Sequence, residues 1–190
     1  NYYSVSNLEV YANHRNQRRK TVFLDRDGVL IRSVERGQYV KKLNQVELIM
    51  NNVDFMKSIS MKFGVDFIVV TNQAGVELGL LDIEEVDQIN RHLTVNLLLL
   101  GVPILAFYVC PHHWDSQCEC RKPKPGLIRK ALYDFQLKAA ECILIGDRDS
   151  DIEAGDSAGI KSFLLPESLL PEDRLNTLER IESFLTRIKD

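Results

Sequence analysis

The sequence lacks the features that mark membrane proteins, secreted proteins and nucleic-acid-binding proteins. Its 24 Lys and Arg residues are outnumbered by 27 Asp and Glu, so no basic excess attracts nucleic acid or an anionic membrane. The longest apolar cluster, residues 97–102, falls far short of a membrane-spanning helix, and no apolar secretion signal is visible near residue 1. These absences predict a cytoplasmic protein with neither nucleic acid nor membrane as a partner.

Cysteine is also scarce, since four residues in 190 are too few for a disulfide framework in a chain of this size. Three of the four, Cys110, Cys118 and Cys120, nevertheless lie within a stretch of eleven residues. Such clustering predicts a metal site in a reducing compartment. The fourth, Cys142, stands in an apolar run and is predicted to be an inert core residue.

Apolar residues make up 45% of the chain, which is enough for one sizeable core. Short apolar runs alternate with segments of helical periodicity, as is typical of a parallel sheet with helices on both faces. We therefore predict an α/β fold with a doubly wound, Rossmann-like parallel sheet, in a single domain over residues 21–190. Residues 1–20 are predicted to be a solvated polar leader or linker. The predicted strands cover 21–24, 67–70, 104–109, 142–145 and 162–165, and the predicted helices cover 46–60, 82–100, 125–137, a short segment ending at 158, and 175–188.

Three of the predicted strands run directly into polar residues. The first ends in DRDG at 25–28, the second in TNQAG at 71–75, and the fourth in GDRDSD at 146–151. In open parallel sheets, ligands bind beyond the carboxyl ends of the strands. The three polar segments are therefore expected to form one composite active site.

The acidic residues of this predicted site suit a divalent cation. Carboxylates packed together repel one another unless a cation lies between them, and Mg²⁺ prefers oxygen ligands together with phosphate. A phosphate monoester brings further negative charge, which the same cation offsets. The carboxylates expected to converge are Asp25, Asp27, Asp147 and Asp151.

The same residues can carry out phosphoryl transfer. Asp25 would attack phosphorus and form an aspartyl-phosphate intermediate. Asp27, two residues further on, can donate a proton to the leaving alkoxide and later remove one from the hydrolytic water. Thr71 and Lys122 can offer a hydroxyl and an ammonium to the phosphoryl oxygens, where charge must be stabilised.

Four motifs, in order along the chain, resemble those of the haloacid dehalogenase superfamily of phosphatases. They are DRDG at 25–28, TNQAG at 71–75, CRKPKPG at 120–126 and GDRDSD at 146–151. Within that superfamily the chain is similar to the group that contains heptose 1,7-bisphosphate phosphatases and histidinol-phosphatases. The resemblance runs from about residue 21 to residue 163 and leaves only the two ends uncovered.

The resemblance implies a role for each matching residue. Asp25 corresponds to the nucleophile, Asp27 to the general acid and base, and Asp147 to the Mg²⁺ ligand. Asp25 and the backbone carbonyl of Asp27 complete the protein ligands of the cation. For Asp151, direct metal contact, a supporting position and a simple place at a helix N-terminus all stay open. The residues implied to bind substrate are Thr71, Asn72, Gln73, Ala74, Arg121 and Lys122.

The cysteine cluster predicts a second metal. Three thiolates and an imidazole within eleven residues suit a closed tetrahedral Zn²⁺ site, which is structural rather than catalytic. The resemblance implies Cys110, His112, Cys118 and Cys120 as ligands, while spacing alone leaves His113 as a competitor for the imidazole position. Free thiols in a loop are the alternative. Bound zinc would order the loop and position the arginine and lysine that follow it.

The substrate is the least determined feature. About twenty residues separate Gly28 from the next predicted helix, too few for a large cap domain, so the site is expected to be open. We expect a small sugar phosphate as the only partner of a monomeric enzyme of carbohydrate metabolism, with removal of the 7-phosphate of heptose 1,7-bisphosphate as the leading hypothesis. The five residues between His112 and Cys118 resemble the histidinol-phosphatase form, and Leu78 stands where heptose enzymes commonly have arginine. Histidinol-phosphate phosphatase, a nucleic-acid end phosphatase and an inactive binding module are the alternatives.

Overall fold

Short apolar runs form a six-stranded sheet in the computed structural model, which describes residues 2–5, 20–35 and 37–188. Two short 3-10 turns, at Leu43–Gln45 and Ala139–Glu141, interrupt the loops. The strands are β1 (Tyr2–Val5), β2 (Thr21–Leu24), β3 (Asp66–Asn72), β4 (Ile104–Cys110), β5 (Cys142–Gly146) and β6 (Lys161–Leu164). The helices are α1 (Met50–Phe63), α2 (Ile83–Leu99), α3 (Gly126–Asp134), α4 (Asp149–Ser157) and α5 (Pro171–Arg187).

The sheet has the order β1-β4-β3-β2-β5-β6, with β2 near its centre. Strands β2 to β6 are parallel, which confirms the predicted doubly wound α/β fold. The chain winds outward from β2 through β3 and β4 on one side and through β5 and β6 on the other. Its direction of winding therefore reverses between β2 and β5, and a crevice opens at the carboxyl ends of strands at such a point.

Strand β1 is the element that the sequence does not predict. Tyr2–Val5 pairs antiparallel with β4, with Tyr2 opposite Val109 and Val5 opposite Ala106. This part of the predicted solvated leader therefore belongs to the edge of the sheet, and the prediction is wrong there. A strand of four residues without a clear alternating pattern carries little periodic signal. Residues 1 and 6–19 of the predicted leader lie outside the described part of the chain.

Helices cover both faces of the sheet because alternate strand residues point to opposite sides. On one face Val22 and Leu24 pack with apolar residues of α1, α2 and α5, such as Met56 and Leu93. On the other face Phe23 packs with residues of α3 and α4. Since both faces are buried, the central strands read as continuous apolar runs rather than alternating ones.

Helix α1 begins later than the sequence predicts. The apolar spacing favours a helix from Val46, but the helix begins at Met50. Leu48 forms an isolated antiparallel bridge with Ile31, and the N–H of Ile49 donates to the carbonyl of Leu30 at 3.0 Å. Pairing with the segment after β2 therefore determines the conformation of Leu48 and Ile49, although the apolar spacing favours a helix there. The other predicted elements agree with the structure to within a few residues at their ends.

The segment between β2 and α1 is too short to fold as a separate cap. Its described residues form a loop, and several of them, including Ser33, Gln38 and Tyr39, line the cavity described below. This arrangement confirms the expectation that the site has no large cap domain. Among the described residues, no helix combines the length and the apolar character needed to cross a bilayer.

Candidate active site and metal centres

The carboxyl ends of β2, β3 and β5 lie at one edge of the sheet, beside a cavity of about 370 Å³. Such a volume suits a small-molecule site. Polar segments that are far apart in the sequence meet here because their strands are neighbours. The predicted residues that line the cavity are Asp25, Asp27, Thr71, Asn72, Gln73, Ala74, Arg121, Lys122 and Asp151.

Lys122 is the centre of the charged network. Its buried ammonium lies 2.9 Å from Oδ1 of Asp25 and 2.6 Å from Oδ1 of Asp151. It also donates to the backbone carbonyl of Val70 at 2.6 Å. An ammonium has three donors, so these three acceptors saturate it and fix its position. The side chain that can stabilise a phosphoryl group is thus held next to the carboxylate that can attack it.

Burial and the charge of neighbouring groups have opposite effects on the pKa values of Asp25 and Lys122. Burial raises the pKa of Asp25 to about 8, although the ammonium of Lys122 lowers it, and three neighbouring carboxylates add to the increase. Burial also works against the charge on Lys122, but Asp25 and Asp151 outweigh it and hold the pKa of the lysine above its usual range. One lysine cannot neutralise all of these carboxylates, so Asp25 tends to keep its proton near neutral pH when no cation is bound.

The carboxylates are placed so that they can share a cation. Asp25, Asp147 and Asp151 each offer an oxygen, and these oxygens lie within 4.8 Å of one another. Oδ1 of Asp147 is buried without a hydrogen-bond partner among the described residues, and burial followed by the charge of Asp151 raises the pKa of Asp147. An unpaired buried carboxylate oxygen is costly unless a cation or proton meets it. The set therefore fits a hard divalent cation.

Glycine at position 28 permits the close approach of these groups. A side chain there would overlap the carboxylate of Asp147, and the φ of Gly28 is +89°, which favours glycine. The glycine of the DRDG motif therefore makes room for a ligand carboxylate that arrives from another strand.

Asp151 is a partner of Lys122 and also caps its own helix. It is buried, its Oδ1 meets the ammonium, and its Oδ2 accepts from the backbone N–H of Arg148 at 3.1 Å. Both oxygens are therefore engaged within the protein. Of the three positions that the sequence leaves open for Asp151, this geometry favours a supporting one.

Asp27 lies to one side of the carboxylate cluster and is held by three side chains. The guanidinium of Arg26 donates to its two oxygens, each at 3.2 Å, and Nε2 of Gln73 donates to Oδ2 at 2.7 Å. The hydroxyl of Thr71 is 3.4 Å from the same oxygen. A carboxylate with this many donors has a fixed orientation, as a proton-transferring group requires.

Asn72 and Gln73 are turned toward the protein itself. Asn72 donates to the backbone carbonyl of Lys122 at 3.0 Å and accepts from its N–H at 3.1 Å. These two bonds tie the end of β3 to the loop that carries the lysine. Gln73 holds Asp27, as described above. Although both residues line the cavity, their side-chain amides position other site residues.

The cysteine cluster closes into a compact four-membered set. Sγ of Cys110 lies 3.6 Å from Nδ1 of His112, 3.8 Å from Sγ of Cys118 and 3.3 Å from Sγ of Cys120. Tetrahedral zinc, with bonds of about 2.0–2.3 Å, needs ligand atoms about 3.5–3.8 Å apart. The thiols are free rather than disulfide-bonded. The set can therefore hold a tetrahedral metal ion.

The structure brings His112, rather than His113, into this cluster. The ring of His113 instead stacks on Trp114, and its Nδ1 accepts from the N–H of Asp115 at 3.3 Å. Partial burial raises the pKa of the Cys118 thiol, but hydrogen bonds led by the N–H of Arg121 outweigh it and lower that pKa overall. A lowered thiol pKa favours the thiolate that binds metal.

Cys142 lies apart from the cluster, in the core. It is buried in β5, and burial raises its pKa to about 12, which confirms the prediction of an inert core residue.

Sequence reasoning missed Arg26. This residue is among the largest fully buried side chains, and its Nη1 donates to Oδ1 of Asn90 on α2 at 3.2 Å. A buried guanidinium needs such partners, because an unpaired charge cannot be buried cheaply. The available signal was an arginine between two aspartates at the end of an apolar strand. It indicates an ion pair but not the distant asparagine that anchors it.

Known proteins are similar to this chain in sequence and in fold. A family model described as HAD-hyrolase-like matches residues 119–184. The D-glycero-alpha-D-manno-heptose-1,7-bisphosphate 7-phosphatase of Mycobacterium bovis is 41% identical over 133 residues, which cover 70% of this chain and 69% of the relative. The enzyme of the same name from Photorhabdus laumondii is 35% identical over 153 residues, or 77% of this chain and 81% of the relative. The chain belongs to the haloacid-dehalogenase-like phosphatases, in the heptose-bisphosphate 7-phosphatase group.

A solved structure of this group has the same fold. The D,D-heptose 1,7-bisphosphate phosphatase of B. bronchiseptica, solved in complex with magnesium and phosphate, superimposes with a TM-score of 0.72 at 26% identity. The match covers 85% of this chain and 86% of that one. The protein is therefore a phosphatase, and Mg²⁺ is the cation that haloacid dehalogenase phosphatases use.

Proposed function

We propose that this phosphatase removes the 7-phosphate from D-glycero-D-manno-heptose 1,7-bisphosphate. The observation that carries the proposal is the buried contact between Lys122 and Asp25, 2.9 Å apart, at a cavity whose other walls also supply polar groups. A carboxylate nucleophile beside a fixed ammonium suits attack on a phosphate monoester. The substrate itself is inferred from the named activity of the relatives.

In the proposed reaction the carboxylate of Asp25 attacks phosphorus in line with the leaving oxygen. The new O–P bond replaces the bond to the sugar oxygen and gives an aspartyl-phosphate, which water then hydrolyses to regenerate Asp25. Lys122 and the hydroxyl of Thr71 stabilise charge on the phosphoryl oxygens. Asp151 and the carbonyl of Val70 hold the ammonium of Lys122 in place, and the donor directed at Asp25 turns to a phosphoryl oxygen as Asp25 attacks.

Asp27 performs the proton transfers. It gives a proton to the sugar oxygen as that oxygen leaves, and it takes one from the water that attacks the aspartyl-phosphate. Arg26 and Gln73 hold its carboxylate in a fixed orientation for both steps.

Asp25, Asp147 and the backbone carbonyl of Asp27 would hold Mg²⁺, and Asp151 would support this site through Lys122. When bound, the cation offsets the charge of the phosphate and of the carboxylates and lowers the pKa of Asp25, so that the nucleophile is ionised.

Cys110, His112, Cys118 and Cys120 would hold Zn²⁺ in a structural role. The ligand Cys120 directly precedes Arg121 in the chain, and Arg121 donates to the backbone carbonyl of His112 at 3.2 Å. Zinc would therefore place Arg121 at the cavity, where it binds substrate alongside the wall formed by Asn72, Gln73 and Ala74. We further propose that residues 21–190, together with strand β1 at the edge of their sheet, act as one monomeric domain in the cytoplasm, with the small sugar phosphate as the sole partner.

Phosphate release from a panel of compounds tests the proposal. Heptose 1,7-bisphosphate, histidinol phosphate, a pyranose monophosphate and a 5′-phosphorylated oligonucleotide would each be incubated with enzyme and Mg²⁺. We expect the bisphosphate to have the highest kcat/KM, with one phosphate released per molecule. Faster release from histidinol phosphate would contradict the proposal and favour the function indicated by the short zinc loop.

A further inference from the structure

Trp114 stands at the mouth of the active-site cavity with most of its side chain in solvent. It is the sole tryptophan of the sequence, it is 63% exposed, and it lines the same cavity as Asp25 and Lys122. Tryptophan is usually largely buried, because exposing its large apolar surface to water is costly. A loop-packing role would have covered this ring. Its exposure beside the site therefore indicates a surface that something else covers.

The loop that carries the ring is tied to the rest of the protein. The indole lies against the imidazole of His113, with the ring centres 3.6 Å apart and the ring planes tilted by 38°. The backbone N–H of His113 and the hydroxyl of Ser116 both donate to the carboxylate of Glu77, the latter at 2.6 Å. The N–H of Glu77 in turn donates to the carbonyl of Pro111 at 3.2 Å. Glu77 therefore ties the tip of the cysteine loop to the segment after β3.

The part of the cavity formed by Asp25, Thr71 and Lys122 is polar and is unsuited to the apolar part of a sugar. The side chains expected to surround the phosphate carry carboxylate, ammonium, hydroxyl and amide groups, which bind phosphate and hydroxyl oxygens. A pyranose ring also has a face of C–H groups, which gains by contact with an aromatic ring rather than with charge. Of the aromatic side chains that line the cavity, Trp114 has the larger flat surface, and Tyr39 is the other.

We propose that Trp114 is a specificity-determining residue that stacks on the face of the substrate's pyranose ring. The inference rests on the proposed function, because it takes the substrate to be a sugar phosphate. The phosphate being removed lies against Asp25 and Lys122, and the ring extends outward to the indole. Glu77 positions Trp114 because its carboxylate binds the loop that carries this residue.

The single tryptophan makes binding directly observable. Heptose 1,7-bisphosphate would be added, with Mg²⁺, to the Asp25→Asn variant, so that binding occurs without turnover, and indole emission would be followed. We expect emission to shift to the blue and to become protected from acrylamide quenching as the site fills. Inorganic phosphate, which occupies the interior alone, should leave the emission unchanged.

Kinetics provide the second readout. Trp114→Ala should raise KM for the bisphosphate by about 5- to 30-fold, the loss expected for one aromatic contact, with kcat changed by less than about twofold. Trp114→Phe should recover most of the affinity, because it restores an aromatic face. Tyr133→Ala is the matched control: Tyr133 is 84% exposed on α3 and does not line the cavity, so KM should not change.

The outcomes separate this inference from the proposed function. In one outcome the bisphosphate is hydrolysed, but Trp114→Ala keeps the wild-type KM and the indole emission does not respond. Stacking of Trp114 on the sugar is then wrong, and the proposed function stands. If the wild-type enzyme releases no phosphate from the bisphosphate, the proposed function fails. An emission response to histidinol phosphate in its place would then overturn the sugar ring as the occupant.

Discussion

The two candidate metal centres of this phosphatase are built in opposite ways. The Cys110–Cys120 cluster takes all four ligand side chains from one stretch of eleven residues. The carboxylate centre takes Asp25 from the end of β2, Asp147 from the end of β5 and Lys122 from the loop after β4. The first is a local structure that a metal can close, while the second exists only when the sheet has formed.

The two centres also differ in what they cost the protein without metal. Burial raises the pKa of Cys110 and Cys120, so these two thiols can stay neutral, whereas the pKa of Cys118 is lowered. The carboxylates crowd together around one ammonium, and Oδ1 of Asp147 has no partner among the described residues. Losing a cation should therefore disorder a loop in one case and leave uncompensated charge in the other. The following predictions test this difference.

The largest effect is expected from Asp25→Asn. The amide keeps the shape of the carboxylate but cannot attack phosphorus, so kcat should fall by about 10⁴-fold or more. Zinc content and the far-UV circular dichroism spectrum should not change, because the cysteine cluster does not depend on Asp25. Turnover within tenfold of the wild type would remove Asp25 from the role of nucleophile.

Lys122→Met should lower kcat by about 10²- to 10³-fold, since the methionine offers no charge to the phosphoryl oxygens. It should also lower Tm, because Asp25 and Asp151 would remain buried without the positive charge that pairs with them. Lys124→Met is the matched control: Lys124 is half-exposed and pairs with Glu119, so both quantities should stay near wild type. Equal effects of the two substitutions would contradict the central place given to Lys122.

Cys118→Ser should abolish zinc binding, as measured by metal analysis of the purified protein. Because the loop would lose its closure, KM should rise by about tenfold while kcat falls less. Cys142→Ala offers a comparison, since Cys142 is buried outside the cluster and its loss should leave one zinc per chain. An unchanged zinc content in Cys118→Ser would show that the cluster is not the metal site.

The smallest effect expected is on stability as pH changes in the absence of Mg²⁺. Burial raises the pKa of Asp25 to about 8, so the folded state binds this proton more tightly than the unfolded state, whose value is near 3.8. The resulting stabilisation is present below the unfolded value and is lost as pH rises through the folded value. Between about pH 5 and pH 9, Tm of the Mg²⁺-free protein should therefore fall by about 10 °C.

The control for this pH effect is Asp25→Asn, which should flatten the dependence, and added Mg²⁺ should restore Tm at the higher pH. Zinc must be retained, so the protein would be dialysed without a chelator. The same slope in Asp25→Asn as in the wild type would mean that Asp25 is not the group responsible.

Much of the fold could be predicted because its signals are local. The runs at 67–70 and 142–145 are apolar on both faces, so their assignment as buried strands did not depend on knowing their neighbours. Helix α2 has Glu84 and Glu85 in its first turn and Gly101 after its end. Its predicted range, 82–100, is therefore close to the observed Ile83–Leu99. Strand β1 and the start of α1 were not foreseen, because both depend on pairing with a distant segment.

For the candidate site, too, local features could be predicted and contacts between distant segments could not. The residue types at 25–28 and 71–75 indicated phosphoryl transfer, since two acids after a strand and a polar turn suit little else. The partners of those residues could not be read from the motifs. Asn72 was expected to bind substrate, whereas its amide pairs with the main chain of Lys122. Its hydrogen-bonding capacity is visible in the sequence, but the choice of partner depends on which strands are neighbours.

By itself, the sequence determined the α/β class, the reaction chemistry and the membership of the cysteine cluster up to one histidine. These features depend on residue type and on short spacing, which the covalent chain sets directly. The tertiary structure alone decided that His112 and not His113 faces the thiols, that Arg26 is anchored by Asn90, and that Trp114 stands open at the cavity. Each of these features depends either on contacts between segments far apart along the chain or on the direction in which a side chain leaves a folded loop. Packing, rather than local conformational preference, determines those contacts and that direction.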